Sequence, residues 1–185
     1  YYSDRTTIGN ENLNPEQATS SELGFKYNGS QFDLSAALFS RKSKNIIDYV
    51  KVNESDLWKA TNIGSLNTTG FELDFRYRFL SNDLSANTFS LGYSNLKDDN
   101  YVSNINYSKY SLNSLKSHFI SKLNYNYKKT FFSTVFKYAQ RSDGSNYSVL
   151  DSRLSYKSVF VSLNNILDVE YSETNLVPMP GRNVL

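Results

Sequence analysis

The segment beginning at Gly70 constrains the fold most. Phe71, Leu73, Phe75, Tyr77 and Phe79 alternate with Glu72, Asp74, Arg76 and Arg78. A β-strand sends successive side chains to opposite faces, so these two sets separate into an apolar face and a charged face. A helix would scatter both around its surface. The same period recurs along the chain. Leu23, Phe25 and Tyr27 alternate with Glu22, Gly24 and Lys26, and Phe32, Leu34, Ala36 and Leu38 alternate with Gln31, Asp33 and Ser35. Phe89, Leu91 and Tyr93 follow, then Phe119, Leu123, Tyr125 and Tyr127, with Lys122, Asn124 and Asn126 opposite. Phe132, Thr134, Phe136 and Tyr138 form a further segment, as do Leu150, Leu154 and Tyr156 against Asp151 and Arg153. Val159, Val161 and Leu163 make the last complete strand, and Arg182-Asn183-Val184-Leu185 opens another. Leu84 and Ala86 have the wrong parity for Phe89, which predicts a bulge near Asn87-Thr88. Gly70, at the head of the strongest strand, is expected to allow a bulge or tight bend.

Connection length alternates. Short turns are expected at Asn28-Gly29, at Leu80 to Asp83, at Lys128-Lys129 and at Lys157-Ser158. Longer polar connections lie near Lys51 to Lys59, Lys97 to Ser111, Arg141 to Asn146 and Ser172 to Gly181. Short at one end and long at the other is the plan of an antiparallel up-and-down sheet. It is also the plan of outer-membrane barrels, which have tight periplasmic turns and long external loops.

Composition narrows the function. The 185 residues carry 20 basic and 18 acidic side chains, and the mean hydropathy is −0.53. Such a polar chain would suggest disorder, but Tyr 15, Phe 12 and Trp 1 supply the aromatic content that disordered chains lack. Cys is 0 and the single histidine is His118, which excludes disulfide frameworks, thiol nucleophiles and clusters of imidazole ligands. None of the glycine-rich phosphate loops or nucleophile elbows occurs. The longest apolar run, Ala36-Ala37-Leu38-Phe39, is far too short for a membrane-spanning helix.

Two sheet architectures fit these residues. A soluble sandwich alternates too, but its strands are usually about five or six residues long. Several segments here extend to about ten, the length a tilted strand needs to cross a bilayer. Tyr27, Tyr49, Tyr77, Tyr93, Tyr127, Tyr138, Tyr156 and Tyr171 gather at strand ends, where an apolar ring with a wet hydroxyl suits a lipid–water boundary. In the barrel reading Phe71, Leu73, Phe75, Tyr77, Leu34, Leu123, Phe136 and Leu154 face lipid. Glu72, Asp74, Arg76, Arg78, Lys122 and Arg153 then face the lumen.

Three segments carry a family resemblance. Ile8-Gly9-Asn10-Glu11-Asn12-Leu13-Asn14-Pro15-Glu16, followed by Ser20-Ser21-Glu22-Leu23-Gly24, resembles the G-N-x-x-L-x-P-E…E-x-G signature of TonB-dependent outer-membrane receptors. Asn62-Ile63-Gly64 with Thr69-Gly70-Phe71-Glu72-Leu73 is similar to that family's N-x-G…G-x-E-[LI] strand. Asn165-Ile166-Leu167-Asp168-Val169-Glu170-Tyr171 with Pro180-Gly181-Arg182 resembles its N-L-F-D-x-x-Y…P-G-R ending, with Ile166-Leu167 in place of Leu-Phe. The resemblance implies an all-β, antiparallel up-and-down transmembrane barrel of about 22 strands with a plug inside. Residues 1–185 would be the C-terminal part of that barrel, about eight strands and the start of a ninth. The plug and TonB-contact residues lie outside this chain. The implied activity is TonB-dependent uptake of a scarce nutrient across the bacterial outer membrane, without covalent chemistry or a resident cofactor. The implied partners are the TonB complex, outer-membrane lipid and a small molecule, with no nucleic acid. Tyr1-Tyr2 ahead of Ile8-Gly9-Asn10, and Pro178-Met179-Pro180-Gly181-Arg182, are most similar to the cobalamin-receptor branch. Ferric siderophore receptors are the nearest alternative. A passive porin or structural adhesin barrel would share the alternation but not the three motifs.

Candidate ligand residues fall on the expected external loops: Trp58, Asp98, Asp99, Tyr101, Tyr107 and Tyr110. Their aromatics suit either stacking on a bulky ligand or anchoring at the membrane interface. The Lys97 to Ser111 stretch sets Asp98 and Asp99 against Lys97 and Lys109, a balance that leans away from an anionic ligand. Glu16 with Glu22, or Asp98 with Asp99, are weaker candidates for acid/base or calcium pairs. Glu72, Asp74, Arg76 and Arg78 read as lumen residues that pair with one another or with a plug. Arg41-Lys42-Ser43-Lys44 marks the outer end of a strand near headgroups. Asn165 and Asp168 are expected to hold a turn through side-chain-to-backbone bonds, and Pro15 to precede its strand.

Overall fold

A computed structural model describes residues 3–82, 85–101, 105–109, 115–174 and 177–185. The strands in chain order are β1 (Thr7–Ile8), β2 (Gln17–Asn28), β3 (Phe32–Lys44), β4 (Ile47–Lys51) and β5 (Trp58–Asn62). They continue with β6 (Ser65–Asn82), β7 (Ser85–Tyr101), β8 (Tyr107–Ser108), β9 (Leu115–Tyr127) and β10 (Thr130–Arg141). The last five are β11 (Asn146–Tyr156), β12 (Val159–Asn164), β13 (Ser172–Thr174), β14 (Val177–Pro178) and β15 (Asn183–Val184). Nine of them form one sheet in the order β15-β12-β11-β10-β9-β7-β6-β3-β2. Each neighbouring pair is antiparallel. The sheet is thus a meander, and every expected strand is in it, including the one that opens at Arg182.

Register keeps the two faces separate across the sheet. Phe71, Leu73, Phe75 and Tyr77 of β6 stand opposite Leu38, Ala36, Leu34 and Phe32 of β3. On the other side Leu73, Phe75 and Tyr77 meet Tyr93, Leu91 and Phe89 of β7. The apolar row continues through Phe89↔Leu123, Phe132↔Tyr125, Phe132↔Leu154 and Leu154↔Val161. Glu72, Asp74, Arg76 and Arg78 share the opposite face with Lys122 and Arg153. A one-residue slip would exchange the faces, and none occurs through this region.

The apolar face is not a core. Leu23 is 75% exposed, Leu38 60% and Val159 71%. So large a contiguous apolar surface marks contact with another protein or with lipid. Most buried side chains lie elsewhere, at a small second sheet (Thr7, Ile46, Asp48, Ala60, Ile63) or near the segment after β12 (Ala139, Val149, Asn165); Ser43 in β3 and Asn87 in β7 are buried as well.

Two local expectations are corrected. The irregularity between β6 and β7 falls between Phe79 and Asn82, where the pairing passes from Phe79↔Asn87 to Asn82↔Ser85. The extra residue is therefore in β6, and Asn87-Thr88 pairs regularly with Phe79 and Arg78; Leu84 lies outside the described residues. Gly70 is neither bulged nor at a strand head. It sits within β6 in unbroken register with Phe39 and Leu96. A Cβ there would lie 2.6 Å from the Asn95 carbonyl oxygen and 2.7 Å from the Phe39 ring, so glycine admits the close approach of β7 and the aromatic ring.

Candidate functional site

All the long connections leave one end of the meander, and there they fold further. β4 and β5 form an antiparallel hairpin between β3 and β6. β1 joins β5 in parallel and β8 joins β4, giving a four-stranded sheet in the order β1-β5-β4-β8. Two of the sequence motifs meet at its base. The Asn62 side chain donates to the carbonyls of Asn14 (3.0 Å) and Asn45 (2.7 Å), while its Oδ1 accepts from the Asn14 amide (2.9 Å). Asn10 donates to the Ala60 carbonyl at 3.2 Å. Asn45 (φ 53°) and Gly64 (φ 108°) turn the chain out of β3 and back into β6. Pro15, which cannot donate to a ladder, precedes β2 as expected. At the far side Asp48 is 1% exposed; its carboxylate accepts from the Tyr49 amide (2.6 Å) and from the Ser108 hydroxyl, which ties β4 to β8.

This small sheet gathers a cluster of cations and rings. Lys51 Nζ lies 5.0 Å from the centre of the Trp58 ring and 5.3 Å from that of Tyr107. Lys109 Nζ lies 5.0 Å from Tyr49 and 5.2 Å from Trp58. One indole thus serves two ammonium groups, within the range where a ring face attracts a cation. Lys51 Nζ also donates to the Glu54 carbonyl. Val52, Leu57 and Tyr107 remain exposed beside the cluster. Positive charge held among ring faces suits an anionic ligand with flat or apolar parts.

The six candidate loop residues separate. Trp58 and Tyr107 join the cluster, from β5 and β8. Asp98 and Asp99 are not on a loop: they lie in β7, opposite Thr68 and Asn67. Asp98 accepts from the Thr68 hydroxyl at 2.6 Å. As neighbours on a strand they point to opposite faces, so they cannot hold one ion together. Tyr101 ends β7, paired with Ser65; Tyr110 lies outside the described residues. Lys51 and Tyr49 were missed by sequence reasoning. The signal for Lys51 was its place with Lys59 on either side of a tryptophan-bearing loop.

On the charged face Arg78 pairs with Asp33 rather than with Glu72 or Asp74, and donates to the Gly29 carbonyl at 3.1 Å. Glu72, Asp74 and Arg76 form no ion pair among the described residues. Asp74 and Arg76, with Lys26, Asp33 and Lys122, line a shallow hollow of about 430 Å³. Glu16 pairs with Arg41 at 3.7 Å, apart from Glu22. His118 lies in β9 opposite Ser94 and Ala139, on the charged face.

The segment after β12 is pinned as expected. Asn165 (2% exposed, φ 49°) donates to the carbonyls of Val169 (2.9 Å) and Pro180 (3.2 Å) and accepts from the Val169 amide (3.0 Å). Asp168 accepts from the Arg182 amide at 2.9 Å. The segment then leans over β10 and β11. The Tyr171 ring packs at a tilt of 39° against that of Tyr147, with ring centres 4.8 Å apart, and Glu173 pairs with Lys137 at 3.4 Å. Burial, with the Glu173 charge adding to it, holds the Tyr171 phenol above its ordinary pKa.

A long antiparallel meander with an outward apolar face, a charged reverse face, tight turns at one end and folded loops at the other is the wall of a transmembrane β-barrel. The family described as TonB dependent receptor-like, beta-barrel matches residues 1–166, and the chain belongs to it. Barrels of that family reside in the outer membrane of Gram-negative bacteria. Among solved structures the chain is similar to the copper transporter OprC, with TM-score 0.72 and 16% identity over 95% of this chain and 32% of that one. It is also similar to the FrpB iron transporter from Neisseria meningitidis: the F3-3 variant gives TM-score 0.69 and 19% identity, over 96% of this chain and 32% of that one. The F5-1 variant gives 0.70 and 19%, with the same coverage. The chain therefore spans about a third of these proteins, and the likeness concerns the fold. No curated protein matches it in sequence.

Proposed function

We propose that this chain is a C-terminal part of the barrel of a TonB-dependent uptake receptor. Its apolar face meets outer-membrane lipid and its charged face lines the lumen beside the plug. The small sheet stands outside the cell, where it helps to capture a scarce, anionic metal chelate such as a ferric siderophore. One observation carries the choice of substrate: Lys51 and Lys109 are gathered around Trp58, Tyr49 and Tyr107. Cobalamin, the substrate suggested by Tyr1-Tyr2 and Pro178 to Arg182, is neutral overall and needs no paired ammonium groups. The aspartates that weighed against an anion, Asp98 and Asp99, lie in β7 and not among these rings. The structural neighbours, a copper transporter and an iron transporter, agree with a metal cargo.

Equilibrium binding by the full-length receptor tests this reading. Ferric catecholate should bind tightly, and Lys51→Gln with Lys109→Gln should weaken it by tenfold or more; cobalamin should show no comparable affinity. Tight cobalamin binding that is indifferent to both lysines would overturn the proposed substrate. Failure of an energised cell to accumulate any ligand in a TonB-dependent manner would overturn the receptor reading and favour a passive pore.

A further inference from the structure

At the other end of the meander, two of the tight turns carry lysines where the backbone does not favour them. Lys128 (φ 52°) opens the β9–β10 turn and Lys157 (φ 53°) opens the β11–β12 turn. Left-handed backbone suits glycine or asparagine and disfavours other residues. The sequence nevertheless places lysine at the same point of both turns, with Lys129 following the first. The turns are adjacent: the Lys157 amide donates to the Lys129 carbonyl at 2.9 Å. Three ammonium groups therefore project from one small area. No acidic residue occurs between Leu123 and Ser142 or between Ser152 and Leu167. Among the described residues none of the three lysines forms an ion pair.

The surroundings select the partner. Lys128 Nζ sits 5.2 Å from the Tyr127 ring centre and Lys157 Nζ 5.3 Å from that of Tyr156. Both tyrosines pair with Thr130, so they stand on the same, apolar face. Tyr127 is 57% exposed and Tyr156 56%, and the face continues directly into Leu154, Val159 and Val161, which are also exposed. The Asn28–Phe32 turn, by contrast, carries no lysine, and its charges are the Asp33–Arg78 pair.

We propose that Lys128, Lys129 and Lys157, with Tyr127 and Tyr156, form a headgroup site for an anionic phospholipid in the periplasmic leaflet. The ammonium groups pair with the phosphate, the phenols hydrogen-bond to phosphate and glycerol oxygens, and the acyl chains lie along Leu154 and Val161. Free phosphate would gain nothing from the apolar surface. A zwitterionic headgroup would bring its own ammonium group against three others. The proposal rests on the barrel reading and on short turns facing the periplasm.

The test uses the full-length receptor in vesicles of phosphatidylethanolamine with a minor share of phosphatidylglycerol. A photo-cross-linking residue replaces Tyr156, and a second receptor carries it at Phe75 as a mid-wall control. Captured lipids are identified by mass spectrometry. The expected result is phosphatidylglycerol enriched about fivefold over its share at position 156, the effect of one well-placed lysine at an anionic surface, and no enrichment at 75. Lys128→Asn with Lys157→Asn keeps a residue that suits the left-handed turns. It should abolish the enrichment while heat-modifiable migration stays unchanged; Lys→Arg at both positions should retain it. Capture at 156 in proportion to membrane composition would overturn the proposal, as would cross-linking to a protein in whole cells. Absence of any lipid at 75 would instead overturn the barrel reading beneath it.

Discussion

Phe75→Arg is the perturbation whose cost the structure fixes best. The alternating apolar set of β6 runs from Phe71 to Phe79, about 26 Å along a strand that rises about 3.3 Å per residue. Tilted by about 45°, that stretch covers about 19 Å of the membrane normal, within an apolar band about 25 Å tall. Phe75 is its midpoint, paired with Leu34 and Leu91. An arginine there sits near the bilayer midplane and should destabilise the barrel by about 2–4 kcal/mol, against about 0–1 kcal/mol for arginine at the ends of the band. Phe75→Ala removes the contact with Phe32, whose ring centre is 6.3 Å away, without adding charge, so the Arg–Ala difference isolates the cost of the charge. Asp74→Asn, one residue along on the charged face, should change stability by less than about 0.5 kcal/mol. Guanidinium unfolding of the full-length receptor in phosphatidylcholine vesicles, followed by tryptophan fluorescence, reads these differences. Equal costs for Phe71→Arg and Phe75→Arg would refute the assigned depth, and an Asp74→Asn cost matching Phe75→Arg would refute the assigned faces.

Three further outcomes follow from named contacts. Asn165→Ala strands the Val169 amide and the carbonyls of Val169 and Pro180, and should cost about 1–3 kcal/mol, seen as faster proteolysis between Asn165 and Arg182. Gly70→Ala forces a Cβ against the Asn95 carbonyl and the Phe39 ring, and should cost about 1–3 kcal/mol in the same unfolding assay. Tyr171 should ionise above the usual tyrosine value of about 10, with Glu173→Gln lowering its midpoint in an absorbance titration at alkaline pH. Between those two pKa values the unfolded chain loses its proton first, so Tyr171's contribution to stability falls as pH rises past about 10. An ordinary Tyr171 midpoint, unmoved by Glu173→Gln, would contradict the ring-packed, charge-flanked position.

What could be read from the sequence depended on whether a residue sat beside an apolar face. Phe71 to Phe79 declare their strand because charge alternates with apolarity. Lys97 to Tyr101 extend a strand just as regular, but past the apolar band both faces are polar and the period vanishes, so Asp98 and Asp99 read as loop. The parity break before Phe89 pointed to a bulge in β7, but β7 keeps its period there and the extra residue sits in its partner β6, where the sequence showed no break. Asn165 was legible because its bonds to Val169, four residues on, are local; the Asp168 carboxylate reaches Arg182, 14 residues on, and was legible only through the motif that contains both. The cation–ring cluster was not, because it depends on pairings such as Asp48 with Ser108, 60 residues apart. Asn62 and Asn14 sat in separate motifs, and only the fold brings them into one clamp.

The two-faced wall is the central claim, and a spin-label scan along β6 tests it most directly. These 185 residues contain no cysteine, so single cysteines at positions 71 to 79 can each be labelled in bilayers in a full-length receptor whose other cysteines, if any, are replaced by serine. Collision with oxygen, which concentrates in lipid, should peak at 71, 73, 75, 77 and 79. Collision with a water-soluble nickel chelate should peak at 72, 74, 76 and 78. A profile without period two, or one in which 74 meets oxygen and 75 meets nickel, would contradict the account.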